Sequence, residues 1–419
     1  MLNYSTRAHN LKRGIFTFCE KLSKDFKKPI QKFICHMIFG LIAAQSCYLT
    51  EIARKLNESI TLKKTVERLS RNLMNFKDAD ILQENYMNTV KPYFNERTIL
   101  IIDDGDINKD SSKKLDSLCQ VRDGSTGEIV TGYWYAGVTA LSAKHKQPIP
   151  VYGRVYSSTE NGYKSNNIET IKSFEYLSKH FDKKHVRTLD RGYDSGFVFD
   201  YFIPRKESFI VRTVGNRNCI HKGKTILVEE LAKKVQSTHN LKFESKDGDV
   251  VQCQISITPI KLPNYPKDEL NLVVCRGFGQ KPIMLITNLK ADDEQLCVTI
   301  TKAYLMRWRI EEFYKFKKQT FNFENFLVRS LTSIRNLDLL LNIAIGYMGT
   351  LSEKIDESIE VHEIIEASKR LYGVAKFTLY AIADGLAEIF GKGYTGMQSF
   401  FKLSTIDASS RQLRLFEWG

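Results

Sequence analysis

Acidic side chains are in short supply: 48 Asp and Glu stand against 62 Lys and Arg, a surplus of +14 over 419 residues. That weakens the case for a metabolic enzyme without a macromolecular partner and favours a polyanion binder, nucleic acid first, because net charge governs association rather than fold. Eight cysteines (Cys19, Cys35, Cys47, Cys119, Cys219, Cys253, Cys275, Cys297) include no C-x-x-C pair. Cys219 and His221 are neighbours with no second pair to answer them, so neither a disulfide framework nor a zinc module is expected. No signal-peptide pattern is found, and free thiols in a reducing interior are expected. The longest apolar run, Phe33 to Leu49, is interrupted by His36, Gln45 and Ser46. It falls short of the roughly 20 clean apolar residues of a membrane span and reads as a buried core helix. Repeats, low-complexity segments and flexible linkers are also lacking, which leaves a folded chain long enough for two or three packed domains.

The surplus is unevenly placed. Residues 1–77 hold 15 Lys and Arg against 5 Asp and Glu, so +10 of the +14 lies before Asp78. A solubilising basic face would need no more than this, but the charges are interleaved with helical apolar periodicity, which favours a DNA-binding element. Leu49, Ile52 and Leu56 line one short helix, and Asn57-Glu58-Ser59 supplies a turn. Thr61 is placed to cap a second helix with Leu62, Val66, Leu69 and Leu73 as its apolar stripe. Lys63, Lys64, Arg68 and Arg71 stand off that stripe as candidate DNA contacts. Two short helices with a tight turn have the outline of a helix-turn-helix, an outline that ordinary helical bundles share.

The pattern changes at Thr98. TILIIDD is a buried strand delivering Asp103 and Asp104 to its carboxyl end, and VRTLD is a second strand stopping at Asp190. Between them lie strand-like segments at Gly132–Leu141 and Ile149–Tyr156 and an amphipathic helix from Ile168. SGFVFDYF reads as helix and SFIVRTV as strand. From Gly215 to about Gln280 alternating segments and turn residues predict a mostly β insertion with one helix near VEELAKKV. PIMLITN is again a buried strand, and Glu294 onward is helical, with one long helix over Thr301–Thr320.

The most informative segment is YLMRWRIEEFYKFKKQ, residues 304–319. On a helical wheel Tyr304, Arg307, Glu311 and Lys318 fall on one edge, with Trp308 and Lys315 beside it, while Met306, Ile310, Phe313 and Phe316 lie opposite. A carboxylate between cations can hold a divalent metal while the cations grip phosphates on either side. Asp104 and Asp190, each at a strand end, are placed to converge on Glu311. Three such carboxylates suit Mg²⁺ or Mn²⁺, and two such ions support in-line phosphodiester cleavage or transfer.

At these residues the sequence resembles the DDE transposases of bacterial insertion sequences, in the insertion-sequence-four type branch marked by Y-x2-R-x3-E-x6-K. Tyr304, Arg307, Glu311 and Lys318 meet that pattern in full. IIDDGD resembles the family's first-aspartate strand and LDRGYDS its second-aspartate block, over roughly residues 35–350. The resemblance implies an α/β protein with an RNase H-like catalytic core interrupted by a mostly β insertion, which suits the 121 positions from Asp190 to Glu311. It implies Asp104, Asp190 and Glu311 as catalytic metal ligands for two Mg²⁺ (or Mn²⁺) ions, and Tyr304, Arg307 and Lys318 as contacts to the DNA end; Lys315, beside them on the wheel, is a further candidate DNA contact. Trp308 is placed either to stack on a displaced base or to fill the core. The first block departs from the family's usual D-D-T, D-G-T or E-D-T, reading Asp103-Asp104-Gly105-Asp106. Asp104 is preferred as the acid before the turn, although strand alternation lets only one of Asp103 and Asp104 face the site.

The expected organisation is a helical DNA-binding domain over 1–97, catalytic core over 98–214 and 283–330, a β-rich insertion over 215–282 and a helical region over 331–419 suited to dimerisation. The function implied is cut-and-paste transposition, with DNA (element terminal repeats and target) as partner, a homodimer on DNA and no membrane, in a bacterial cytoplasm at the nucleoid. The alternatives are a nuclease of the same fold without strand transfer and a domesticated DNA-binding regulator.

Overall fold

In the computed structural model, residues 4–112, 114–237, 239–244, 250–290, 294–370, 377–393, 396–398 and 400–401 are described. The chain opens with five helices: α1 (Tyr4–Ser23), α2 (Lys28–Ala44), α3 (Leu49–Leu56), α4 (Leu62–Asn75) and α5 (Ala79–Val90). Burial on α1 falls on Ala8, Leu11, Ile15, Phe18 and Leu22, a helical stripe facing one core. From Phe33 to Ala43 every residue of α2 is buried, so its apolar run is interior helix. Among the described residues no single helix is long and apolar enough to cross a membrane, and α2 and α3 are bent from each other by 100°. Asn57, in the left-handed conformation, ends α3. Thr61 caps α4 through the Lys64 amide. The buried face of α4 is Thr65, Leu69 and Leu73, whereas Leu62 is 40% exposed, so the apolar stripe is narrower than its sequence suggested.

Then come β1 (Ile99–Asn108), β2 (Cys119–Arg122), β3 (Ile129–Leu141), β4 (Pro148–Tyr156), α6 (Asn166–His180), β5 (Val186–Leu189), α7 (Gly196–Arg205) and β6 (Phe209–Arg212). β1 lies antiparallel to β3 and parallel to β5, which is parallel to β6; β4 covers the far edge of β3. The segment that follows holds β7 (Asn218–His221), β8 (Lys224–Leu227), α8 (Val228–Lys234), β9 (His239–Glu244), β10 (Val250–Leu262) and β11 (Tyr265–Arg276), and β12 (Ile283–Thr287) returns beside β6. The insertion is not a separate sheet. Its long β10–β11 hairpin joins β12, so one mixed sheet of twelve described strands runs through both parts of the chain.

Helices α9 (Glu294–Leu305), α10 (Trp308–Phe321), α11 (Leu331–Ser352), α12 (Ile359–Ala367) and α13 (Leu379–Lys392) follow. The expected continuous helix over 301–320 is broken at Met306-Arg307, so Tyr304 and Glu311 belong to different helices. Nearly every residue of α11 is buried, and the helix packs against β4, α2, α4 and α13, joining the helical layers to the sheet. All eight cysteines are buried, and none forms a disulfide. The region suited to dimerisation lies partly beyond residue 401, outside the described residues.

Candidate active site

β1 borders the parallel part of the sheet, with β5 on one side and antiparallel β3 on the other, and its alternation decides which acid faces which way. Asp103 turns toward α10: Arg307 Nη1 lies 3.8 Å from its carboxylate, and the Tyr314 hydroxyl donates to its backbone carbonyl at 2.7 Å. Asp104 turns to the opposite face, where its carboxylate accepts from the Thr170 hydroxyl of α6 at 2.6 Å. The expectation that Asp104 meets Asp190 and Glu311 is therefore corrected: the sheet lies between them, and Asp103 occupies that place.

Asp190 stands just past β5, where the chain enters a short 3-10 turn over Arg191–Tyr193. Its carboxylate accepts from the Tyr304 hydroxyl at 3.2 Å and lies 3.8 Å from Arg212 Nη1 at the end of β6. Glu311, in the first turn of α10, keeps 53% of its side chain exposed and pairs with Arg307. Burial alone would depress the Arg307 pKa, but Asp190, Asp103 and Glu311 together hold it above its ordinary value. Asp103 and Glu311 thus pair with one guanidinium, and Asp190 acts on it electrostatically from the end of β5. Among the described residues no three His, Cys, Asp or Glu side chains are grouped closely enough to hold an ion as they stand.

The electrostatics follow from this crowding. Burial pushes the Asp103 carboxyl up to about 7; Arg307 opposes that rise, and Asp104, Asp190 and Glu311 add to it. Burial raises Asp104 to about 6 against the hydrogen bonds of Thr170 and Tyr193. An acid raised on folding favours the folded state at low pH, and that contribution is lost as pH climbs from about 4 through about 7. In metal-free protein Asp103→Asn is therefore expected to stabilise the fold at pH 8 by on the order of 2–4 kcal/mol, seen as a higher thermal midpoint, and to have little effect at pH 4. Melting curves at the two pH values check it; an equal shift at both would contradict it.

The other candidate residues are spread more widely. Trp308 is half-buried, with the Arg309 guanidinium 4.5 Å from its ring. Lys315 is exposed, and Lys318 pairs with Glu324 at 2.6 Å. Both line a cleft of about 460 Å³ beside Glu311, with Tyr135, Tyr314 and Phe323. On α4, Lys63, Lys64 and Arg71 are exposed. Arg68 is engaged inward with Glu58 at 2.5 Å and His36 Nδ1 at 3.3 Å, which removes it from the outward-facing cations. Burial pushes the His36 pKa down to about 3, leaving the Glu58–Arg68 pair to carry the charge there.

Sequence reasoning missed Arg212 and Tyr314. Arg212 closes the strand parallel to β5, where α/β sheets gather their chemistry. Tyr314 follows Glu311 by three residues, one turn along the same helix.

No known family's model matches the chain, and no curated protein matches it. Among solved structures, the chain is similar to piggyBac transposase in a cryo-EM structure of its synaptic complex with hairpin DNA. The identity is 10% and the TM-score 0.45, over 95% of this chain and 82% of that one. A likeness that loose leaves the reading to rest on the chain's own residues.

Proposed function

We propose that this protein is a DDE-type transposase, and the observation that carries the reading is that Asp103, Asp190 and Glu311 all face the surroundings of Arg307. Each acid comes from a different element, yet Asp103 and Glu311 both pair with Arg307 and Asp190 acts on the same guanidinium electrostatically. The complete Y-x2-R-x3-E-x6-K motif supports the insertion-sequence-four type branch. The order β4-β3-β1-β5-β6, antiparallel then parallel, supports an RNase H-like core.

The donor set fits Mg²⁺ or Mn²⁺, since all three side chains offer carboxylate oxygens, and Asp103 and Glu311 already pair with one positive charge. Such ions, when bound, activate the attacking oxygen and stabilise the leaving one. Asp103, Asp190 and Glu311 would hold them. Arg307 would leave Glu311 and turn to a DNA phosphate, a group its planar fork matches. Tyr304 and Arg212 would keep Asp190 oriented, Lys315 and Lys318 would flank the strand as phosphate contacts, and Trp308 would stack on a base at the cleavage point. The activity proposed is cut-and-paste transposition by a homodimer, with cleavage at the element's terminal repeats and joining of the freed 3′ hydroxyl to target DNA.

The test is incubation of the protein with Mg²⁺ and DNA carrying both flanks of its own coding sequence. Nicks with 3′ hydroxyl ends at the repeats, followed by joined products, are expected. Cleavage without joining of a pre-cut end would favour a nuclease of the same fold; binding without any cleavage would favour a DNA-binding regulator.

Exposed Lys63, Lys64 and Arg71 are proposed to recognise the duplex through its phosphates. Replacing all three by alanine is expected to lower the slope of log affinity against log salt by about 3. A salt titration of duplex binding reads this, and an unchanged slope would remove α4 from the interface.

A further inference from the structure

Below Glu311, on the buried side of α10, lies a charged group that the proposed chemistry does not use. Lys317 is 2% exposed. Its ammonium pairs with Asp338 of α11 and donates to Asn342 Oδ1 and to the Tyr135 hydroxyl, each at 3.0 Å. The same ammonium lies 4.2 Å from the Phe323 ring and 4.5 Å from that of Tyr135. Asn342 in turn donates to Asp338 at 3.1 Å. The charge is thus paired and hydrogen-bonded on every side, the condition under which a buried ion pair is tolerated.

The network connects to the first acid. The Tyr135 ring meets Tyr314 edge-on, 5.8 Å between centroids, and the Tyr314 hydroxyl bonds the Asp103 carbonyl. Two glycines make this approach possible. Gly137 is paired with Asp103 across β1 and β3, and Gly153 is paired with Gly137 across β3 and β4. A Cβ on Gly137 would collide with the Tyr314 hydroxyl, and one on Gly153 with Asn342 and the Tyr135 hydroxyl. Side by side, they open a gap in the face of the sheet into which α10 lowers Tyr314 and Lys317, one turn apart.

We propose that Tyr314 and Lys317 are positioning residues: seated over Gly137 and Gly153, they fix the depth and rotation of α10 and so the spacing of Glu311 from Asp103. An apolar contact would let the helix slide. The Lys317 ammonium satisfies Asp338, Asn342 and Tyr135 together at one setting, and the Tyr314 bond ties that setting to the backbone of the residue carrying the first carboxylate. This inference rests on the proposed metal-holding role of Asp103 and Glu311.

The test measures Mn²⁺ affinity by calorimetry on the full chain bound to uncleavable DNA carrying its own flanks, with Glu311→Gln defining the site. Tyr314→Phe removes one hydroxyl, and Lys317→Met/Asp338→Leu removes both buried charges. Each is expected to weaken the Glu311-dependent affinity by about tenfold or more, the effect of losing support behind a ligand, while metal-free DNA affinity and the thermal midpoint of Tyr314→Phe stay near the parent's. A purely structural role would move the midpoint and leave the affinity alone. If the double variant fails to fold, Tyr314→Phe decides by itself. Parent-like Mn²⁺ affinity in folded Tyr314→Phe would overturn the positioning role alone; a parent with no Glu311-dependent Mn²⁺ site would overturn the metal reading and this inference with it.

Discussion

Asp103→Ala, Asp190→Ala and Glu311→Ala are each expected to lower Mg²⁺-dependent DNA cleavage by on the order of a thousandfold, the scale of removing a principal stabiliser of the transition state. Asp104→Asn is expected to keep activity within about tenfold of the parent, because an amide oxygen can still accept from Thr170 on the far face of the sheet. The contrast between Asp103 and Asp104 is the sharp part of the result. Strand alternation places adjacent residues on opposite faces, so the two substitutions cannot be equivalent if β1 holds its register with β3. Measured on one flank-bearing substrate, equal losses at both positions would mean that β1 is read in the wrong register.

The second large effect is on stability. Arg187, at the entry to β5, has no exposed side-chain surface and lies 3.1 Å from Glu207, itself 4% exposed at the side chain. Its Nη1 also donates to the carbonyls of Asp182, Lys183 and His185, at 3.1, 3.1 and 2.6 Å, gathering the loop that starts the strand. Arg187→Met strands the Glu207 carboxylate and is expected to cost about 3–5 kcal/mol. Arg187→Met/Glu207→Leu, which removes both charges, is expected to recover most of that loss. β5 ends at the residue before Asp190, so the single variant should also lose cleavage at temperatures where part of the protein is unfolded. Denaturant titration of the three proteins checks the order; a double variant no better than the single one would show that packing, not charge, dominates there.

Elements with strong periodicity were legible in the sequence. TILIIDD, VRTLD and PIMLITN are short apolar runs that became neighbouring or near-neighbouring strands, and Thr61 caps α4 as its residue type suggests. The break at Met306-Arg307 was not legible, because LMRWRI contains neither proline nor glycine and every residue in it is compatible with a continuing helix. The break nevertheless sets the site: it turns Tyr304 to Asp190 while Glu311 and Arg307 face each other. The Asp103 choice was hidden for a different reason. Alternation says that two adjacent acids diverge but not which one meets the helix, and here the sorting comes from Gly137, whose missing side chain admits Tyr314 on the Asp103 face. Arg68 looked like a surface cation because its partners, Glu58 and His36, lie on other segments. The insertion read as mostly β from its alternating segments and turns, while the continuation of the sheet from β11 to β12 depends on long-range pairing that no local pattern carries.

The most direct measurement is anomalous diffraction from crystals of the protein with its end DNA and Mn²⁺. The expected result is manganese between the carboxylates of Asp103, Asp190 and Glu311, with the Arg307 guanidinium withdrawn from Glu311 onto a DNA phosphate. Manganese bound through Asp104, or Arg307 still bridging Asp103 and Glu311 with DNA in place, would contradict it.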